Sequence, residues 1–447
     1  MKRIAALLLL VVSTAAGFAQ SPSAPAETKL SPAERNMAQA KKLIEKNPKD
    51  FEAYNALALA LSRRARETSD VIFYTQAEEA LQKSFAISPD NFDGQRIHVW
   101  LLLGKHEFAA ALDAAKKLNQ KMPDDVMLYG FLTDANVELG NYKDAEAAAQ
   151  WMLDLKPGNT PGLTRAAYLR ELFGDIDGSL DLMNMAYQST PPSEVEDGAW
   201  IVTQMAHLKL ATGKIDEAEK LSQQALAMFP GYHYALGNLA KVRIQQKRYD
   251  EAVELLKQRY QAAAHAESLF DLAQALQLAG RTEEAKQAFA EFERKSLLET
   301  NRADNSNHEL IFYYADYAEQ PAKALEVAKR EYARRHDVFT LDCYAWALHV
   351  NRQSEEAHKQ INTALAVGIR DAKLFRHAGE IVLATGDRSA AERYLRQSAE
   401  LNALQSEQAR ATLARLTQSA AGRGYTRQKS STLKNCPQFR TGNMEEH

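Results

Sequence analysis

Small and apolar residues along this chain recur at steps of three and four, the spacing that lines one face of a helix. The stretch from Gly140 to Pro157 carries the unit most clearly. Gly140 and Asn141 make a turn, Tyr142 follows, and Ala145, Ala149 and Met152 then share a face. Pro157 ends the helix, because it has no N–H to donate and disfavours a helical residue before it. Aligned on Ala145, equivalent positions fall at Ala77, Ala111, Gly178, Ala218, Ala252, Ala285, Ala324, Ala357 and Ala391, at steps of 33–40 residues. Gly178 interrupts the alanines and marks its repeat as degenerate. The turn before each anchor recurs as well, at Gly174, Gly213, Lys247, Gly280 and Gly386, where glycine suits a left-handed helix end. Pro89, Pro123, Pro157 and Pro230 each stand twelve residues after an anchor. A near-constant period of this kind predicts stacked units, none of which can bury both its faces alone.

The pattern resembles the tetratricopeptide repeat, a pair of antiparallel helices in 34 residues. The family's small residue late in the first helix is matched by Ala58, Ala166, Ala206, Ala240, Ala273, Ala345 and Gly379. Its aromatic or leucine early in that helix is matched by Tyr54, Tyr129, Leu236, Leu269, Leu341 and Phe375. The anchor series matches the alanine that opens the second helix. The resemblance covers residues 32–416. It implies an all-α fold, a right-handed α-solenoid of about ten antiparallel helix pairs. It says little about function, since its signature residues are packing residues.

Around the array, composition changes at both ends. Residues 1–19 read as an export signal: Lys2 and Arg3, an apolar run from Ile4 to Val12 too short to span a bilayer, and small residues before a cut after Ala19. Residues 20–31 form a Pro- and Ser-containing leader. Ser31, Pro32 and Glu34 then open a helix with a capping box. An N-terminal sub-array is expected over 32–192 and a C-terminal one over 193–416, with a joint and candidate hinge at Pro191-Pro192 and the acidic run Glu194 to Asp197. The first repeat, 51–89, carries a long inter-helix turn around Arg66 to Asp70. A second irregularity lies at 300–307. Residues 417–447 form a basic tail too poor in apolar residues to fold.

Charge and chemistry narrow the function classes. The formal net charge is −3, and −5 once Lys2 and Arg3 leave with the signal, which argues against a nucleic-acid binder. Two cysteines in so long an exported chain do not hold a fold together; Cys343 reads as a buried small hydrophobe and Cys436 falls in the tail. No metal-binding His spacing, phosphate-cradling glycine loop or serine-nucleophile elbow occurs, so no catalytic residue, metal or cofactor is expected. No later stretch is apolar enough to span a membrane.

What remains is the inner surface, where the resemblance implies that first helices line a concave groove for peptides or partner helices. The repeat register places Arg96, Trp100, Asp134, Arg170, Trp200, Thr203, His207, Tyr234, Lys241, Phe270, Gln274, Glu309, Tyr313, Phe339, Asp342, Trp346, Arg376 and Glu380 there. Three of the four tryptophans belong to this set, and aromatic and Arg side chains concentrate at binding hot spots. The consecutive positions Arg96 and Trp100, Gly130 and Asp134, and Leu163 and Ala167 do not form the family's carboxylate clamp. The expectation is an exported, non-catalytic scaffold, periplasmic or extracellular, that binds a protein or peptide. Two alternatives stand: an assembly factor of an envelope polysaccharide-export or secretion machine, and a carbohydrate-binding or hydrolytic protein with its site in the groove.

Overall fold

The computed structural model describes residues 30–302, 305–401 and 406–418. The expected signal, residues 20–29 of the leader, Cys436 and the tail from 419 lie outside them. Among the described residues the chain is an all-α repeat solenoid without strands. A single helix α1 (Pro32–Lys46) caps the start. Ten antiparallel pairs follow: α2 (Phe51–Thr68) with α3 (Ile72–Ile87), α4 (Phe92–Gly104) with α5 (Phe108–Lys121), α6 (Val126–Glu138) with α7 (Tyr142–Leu155), α8 (Thr160–Leu172) with α9 (Ile176–Ser189), α10 (Val195–Ala211) with α11 (Ile215–Met228), α12 (His233–Gln245) with α13 (Tyr249–Ala262), α14 (Ala266–Leu278) with α15 (Thr282–Glu299), α16 (Asn307–Phe312) with α17 (Pro321–Tyr332), α18 (Val338–Val350) with α19 (Ser354–Leu365), and α20 (Ala372–Ala384) with α21 (Arg388–Glu400). In the eighth pair α16 continues as a π-helical turn, Tyr313–Tyr317. A last helix covers 406–418, two residues into the expected tail.

The anchors pack as small residues must where helix backbones approach closely. Ala77, Ala111, Ala145, Ala218, Ala252, Ala324, Ala357 and Ala391 are fully buried, and Ala285 nearly so. The degenerate repeat is regular after all, because its anchor is Ser179 rather than Gly178. Ser179 is fully buried, as is Ala167, while Gly178 and Ala166 are only half-buried. Counted from Ser179, the turn glycine Gly174 falls five residues before and Pro191 twelve after, as in the other repeats. The residue five before each anchor has positive φ in nine successive turns, from His106 to Gly386, whether or not it is glycine.

One further expectation changes. The segment Arg66 to Thr68 is not an extended turn but the last part of α2, which is 18 residues long. Its side chains explain the extra length. Glu67 accepts from the Ser31 hydroxyl at 2.6 Å and from the Ala33 N–H at 3.2 Å, so it fastens α1. Arg66 reaches Glu196 and Asp197 at the start of α10. The acidic run is therefore the first turn of α10, where carboxylates favour the helix dipole, and it is tied to α2. Packing also continues across Pro191-Pro192: Leu163, Ala167, Leu180 and Met183 share one apolar cluster with Ile201 and Leu208.

The array curls until its later repeats meet earlier ones along a seam. The Glu138 carbonyl accepts from His336 N–H at 3.1 Å, and the Tyr142 hydroxyl oxygen accepts from Val338 N–H at 2.8 Å. Arg335 reaches the Glu138 carboxylate at 3.2 Å. At two turns glycine is required by this approach: a Cβ on Gly140 would stand 2.7 Å from the His336 carbonyl oxygen, and one on Gly174 2.6 Å from that of Gly368. At the equivalent Gly280 and Gly386 a Cβ would meet nothing within 4 Å. One apolar cluster spans the seam, joining Val137, Ala145 and Leu172 to Leu341, Ile369 and Leu374.

Candidate inner-face binding chamber

Because the last pairs curl back, first helices from α10 to α20 surround a chamber of about 370 Å³. α10 supplies His207, α12 Lys241 and Gln245, and α14 Glu267, Phe270, Asp271 and Gln274. The eighth pair adds Glu309, Phe312, Asp316 and Tyr317, and the start of α20 adds Arg370, Asp371, Lys373 and Arg376. The volume sits within the usual range for a ligand pocket, and its lining mixes apolar side chains with many charged and polar ones.

The polar groups are tied in a definite order. Arg259, on α13, donates to Glu267 at 2.7 Å and to Asp271 at 2.5 Å. Although burial opposes ionisation, this guanidinium holds the Glu267 carboxyl down to about 2. Glu309 has no basic partner, and burial together with the negative charge of Glu267 pushes it up to about 7. Gln274 donates to the Tyr317 oxygen at 2.9 Å. Asp316 accepts from the Trp346 indole N–H at 2.8 Å and lies 3.8 Å from Arg376. Arg376 stacks over the Trp346 ring, 4.7 Å from its centroid, and donates to His377 Nε2 at 2.7 Å. That donation fixes the tautomer, so His377 Nδ1–H donates to Asp342 at 2.7 Å. Burial drives the Asp342 carboxyl up to about 7 and the His377 imidazole well below its ordinary value.

Of the residues expected on the groove, His207, Lys241, Phe270, Gln274, Glu309 and Arg376 come together in this chamber. The others do not join it. Arg96 is held by Asp125 at 2.8 Å and Asp93 at 2.9 Å, Asp134 by Arg165 at 2.6 Å, and Arg170 by Asp175 at 2.5 Å. His207 itself also contacts Glu171, at 2.8 Å. Trp100 and Trp200 pack, half-buried, into apolar clusters between helices. Tyr234 stacks with Tyr232 and His233, and Tyr313 with Phe289. Phe339 is exposed, and Trp346 lies behind Arg376. Among the described residues, no group of three or more His, Cys, Asp or Glu gathers as a metal site.

A sequence model of the tetratricopeptide repeat matches residues 209–264, from the end of α10 into the loop after α13. The chain is a tetratricopeptide-repeat protein. Two curated relatives carry the same repeat. TPR repeat-containing protein YpiA of Bacillus subtilis is 26% identical over 260 residues, 57% of each chain. TPR repeat-containing protein MJ1428 of Methanocaldococcus jannaschii is 29% identical over 157 residues, 34% of this chain and 26% of the relative. The chain thus spans less than two thirds of either. Among solved structures, a human IFIT1 dimer is 13% identical, with a TM-score of 0.47 over 84% of this chain and 96% of that one. Cut9 with Hcn1 is 14% identical, with a TM-score of 0.43 over 85% and 58%.

Within this tetratricopeptide array, several chamber residues escaped the sequence. Lys373 stands three positions before Arg376, one turn away on the same helix, so the face of Arg376 could have pointed to it. Arg259 belongs to a second helix, where repeat register places no groove residue. Asp371 and Arg370 precede α20 and line the chamber only because the array curls. No described helix is long and apolar enough to cross a membrane.

Proposed function

We propose that the chain is a non-catalytic scaffold that holds a peptide segment of a protein partner against its inner face, at the chamber between α10 and α20. The repeat fold is consistent with a protein–protein interaction scaffold. The observation that carries the finer reading is the gathering of aromatic faces and unpaired charged groups from first helices around one partly open space. Aromatic and Arg groups in a desolvated pocket are the usual anchors of such contacts. Selection of phage-displayed peptides on the full chain tests it. Enriched peptides should share a motif, bind in solution by fluorescence anisotropy, and be displaced by one another. Enrichment of no motif, or binding that survives Phe270→Ala with Tyr317→Ala, contradicts the reading.

Export is proposed on residues 1–19 alone. Expressed in a bacterial host, the chain should reach the periplasm and begin at Gln20 by intact mass. Retention of Met1 in a cytoplasmic fraction contradicts it.

A further inference from the structure

The polar groups of the chamber divide into those already matched and those left over. Glu267 and Asp271 are taken by Arg259, and Asp316 by Trp346 and Arg376. Asp371 caps its own helix, accepting from the Leu374 N–H at 2.8 Å. Left over are the Glu309 carboxyl, which burial pushes up to about 7, and cations. Lys241, Arg370 and Lys373 line the chamber with no ion pair or hydrogen bond to any described residue. Lys373 lies over the Phe312 ring, 4.2 Å from its centroid, and nearby carboxylates keep it charged against its burial. Arg376 is only 8% exposed, yet its Nε–H has no acceptor among the described residues. A buried donor left in that state is costly. From α12, the buried Gln245 Oε1 likewise has no donor among the described residues.

A ligand that satisfied these groups would bring an anionic acceptor for the cations and an N–H for Gln245. A cationic ligand would confront four basic side chains, and a purely apolar one would leave Arg376 Nε unmatched. We infer that the chamber anchors one acidic side chain of the partner segment. Its carboxylate meets Lys373, Lys241 and the Arg376 Nε–H, a backbone N–H meets Gln245 Oε1, and an adjacent apolar side chain lies against Phe270 and Tyr317. The inference rests on the peptide-binding reading above and names what that site selects. Its cations come from α12 and α20, four repeats apart, brought to one space by the curl of the array. Charge-assisted bonds of this kind are roughly twice as strong as neutral ones, so a neutral isostere should bind far more weakly.

The test uses the full chain and two kinds of probe. The first is an array of blocked ten-residue peptides in which every Glu- or Asp-containing peptide has a Gln or Asn twin. The second is sodium 3-phenylpropionate against 3-phenylpropanamide, read by thermal shift. Binding peptides should lose at least tenfold in affinity in the amide twin, and should lose as much in the Lys241→Met/Lys373→Met variant, whose lysines make no ion pair or hydrogen bond with the described residues. Phenylpropionate should raise the melting temperature more than its amide, and the variant should remove that difference. Peptides that bind equally well as acid and amide overturn the acidic anchor while leaving the scaffold reading intact. A silent array with a lysine-dependent carboxylate shift keeps the carboxylate site and overturns the peptide. Silence in both arms overturns both.

Discussion

The inner face of the array has two halves that look alike in sequence and differ in what their charges do. From α4 to α8, the charged residues expected on the groove are held by near neighbours: Arg96 by Asp93 and Asp125, Asp134 by Arg165, Arg170 by Asp175. From α12 to α20, Lys241, Arg370 and Lys373 have no such partner and Arg376 keeps an orphaned donor. The first half ties adjacent repeats together; the second keeps its charges for something else. Groove register alone does not separate the two, because it marks which way a side chain points and not what meets it there.

The largest effect is expected where the chamber's own balance is broken. Arg259→Met leaves Glu267 and Asp271 facing each other without a cation, and should cost about 3–5 kcal/mol in chemical denaturation. A smaller loss would mean that those carboxylates were already neutral and that the division between matched and unmatched groups is misdrawn. Next is the seam that closes the chamber. Gly174→Asn retains a residue that tolerates positive φ but drives a Cβ into the Gly368 carbonyl. The expected loss is about 1–3 kcal/mol, with a larger radius of gyration in solution scattering. An unchanged radius would show that the curl does not depend on this approach.

A third prediction concerns pH. Asp342 titrates near 7 in the fold against an ordinary value of 3.8. Between those values the native state holds a proton that the unfolded chain has released, so this group's stabilisation falls as pH rises from about 4 to 7. Asp342→Asn keeps the acceptor for His377 and removes the titration. Relative to the variant, the wild type should lose up to about 1.4 kcal/mol for each pH unit across that window. His377, held neutral, acts in the opposite sense up to about 6.5 in both proteins. Parallel denaturation curves for the two at pH 4.5 and 7 would show that Asp342 is ionised throughout.

The smallest effects sharpen the comparison most. Arg165→Met removes a partly exposed pair and should cost about 0.2–1 kcal/mol without altering peptide binding. Lys373→Met loses the stacking on Phe312 and should cost about 1 kcal/mol, while weakening peptide binding at least tenfold. A reversed outcome, binding lost with Arg165 and kept without Lys373, would place the site in the N-terminal half.

Much of the fold was legible because the repeat is local: anchor, turn and stop all lie within 34 residues, and the capping box at Ser31 and Glu34 forms as its spacing indicates. The fourth anchor is hidden in the sequence because it is Ser179 rather than alanine, and a buried serine fills nearly the same volume. The extension of α2 read as a turn because its purpose, the contacts of Arg66 with α10 and of Glu67 with α1, lies in other helices. The seam was illegible for a deeper reason. Gly174 meets Gly368 only through the summed small rotations of six repeats, and no local pattern carries that sum. The chamber inherits this: Lys241 and Arg376 were on the expected face, but their meeting depends on the curl. Trp100 and Trp200 carried the strongest composition signal and went to joints between helices instead.

Hydrogen–deuterium exchange of the full chain with and without a saturating glutamate-containing peptide tests the central contrast most directly. Protection on binding should concentrate in α12, α14, the helix and π-turn over 307–317, and the first turns of α20, with α4 to α8 unchanged. Protection spread over α4, α6 and α8, with α20 unaffected, would contradict the division of the inner face into a self-paired half and a binding half.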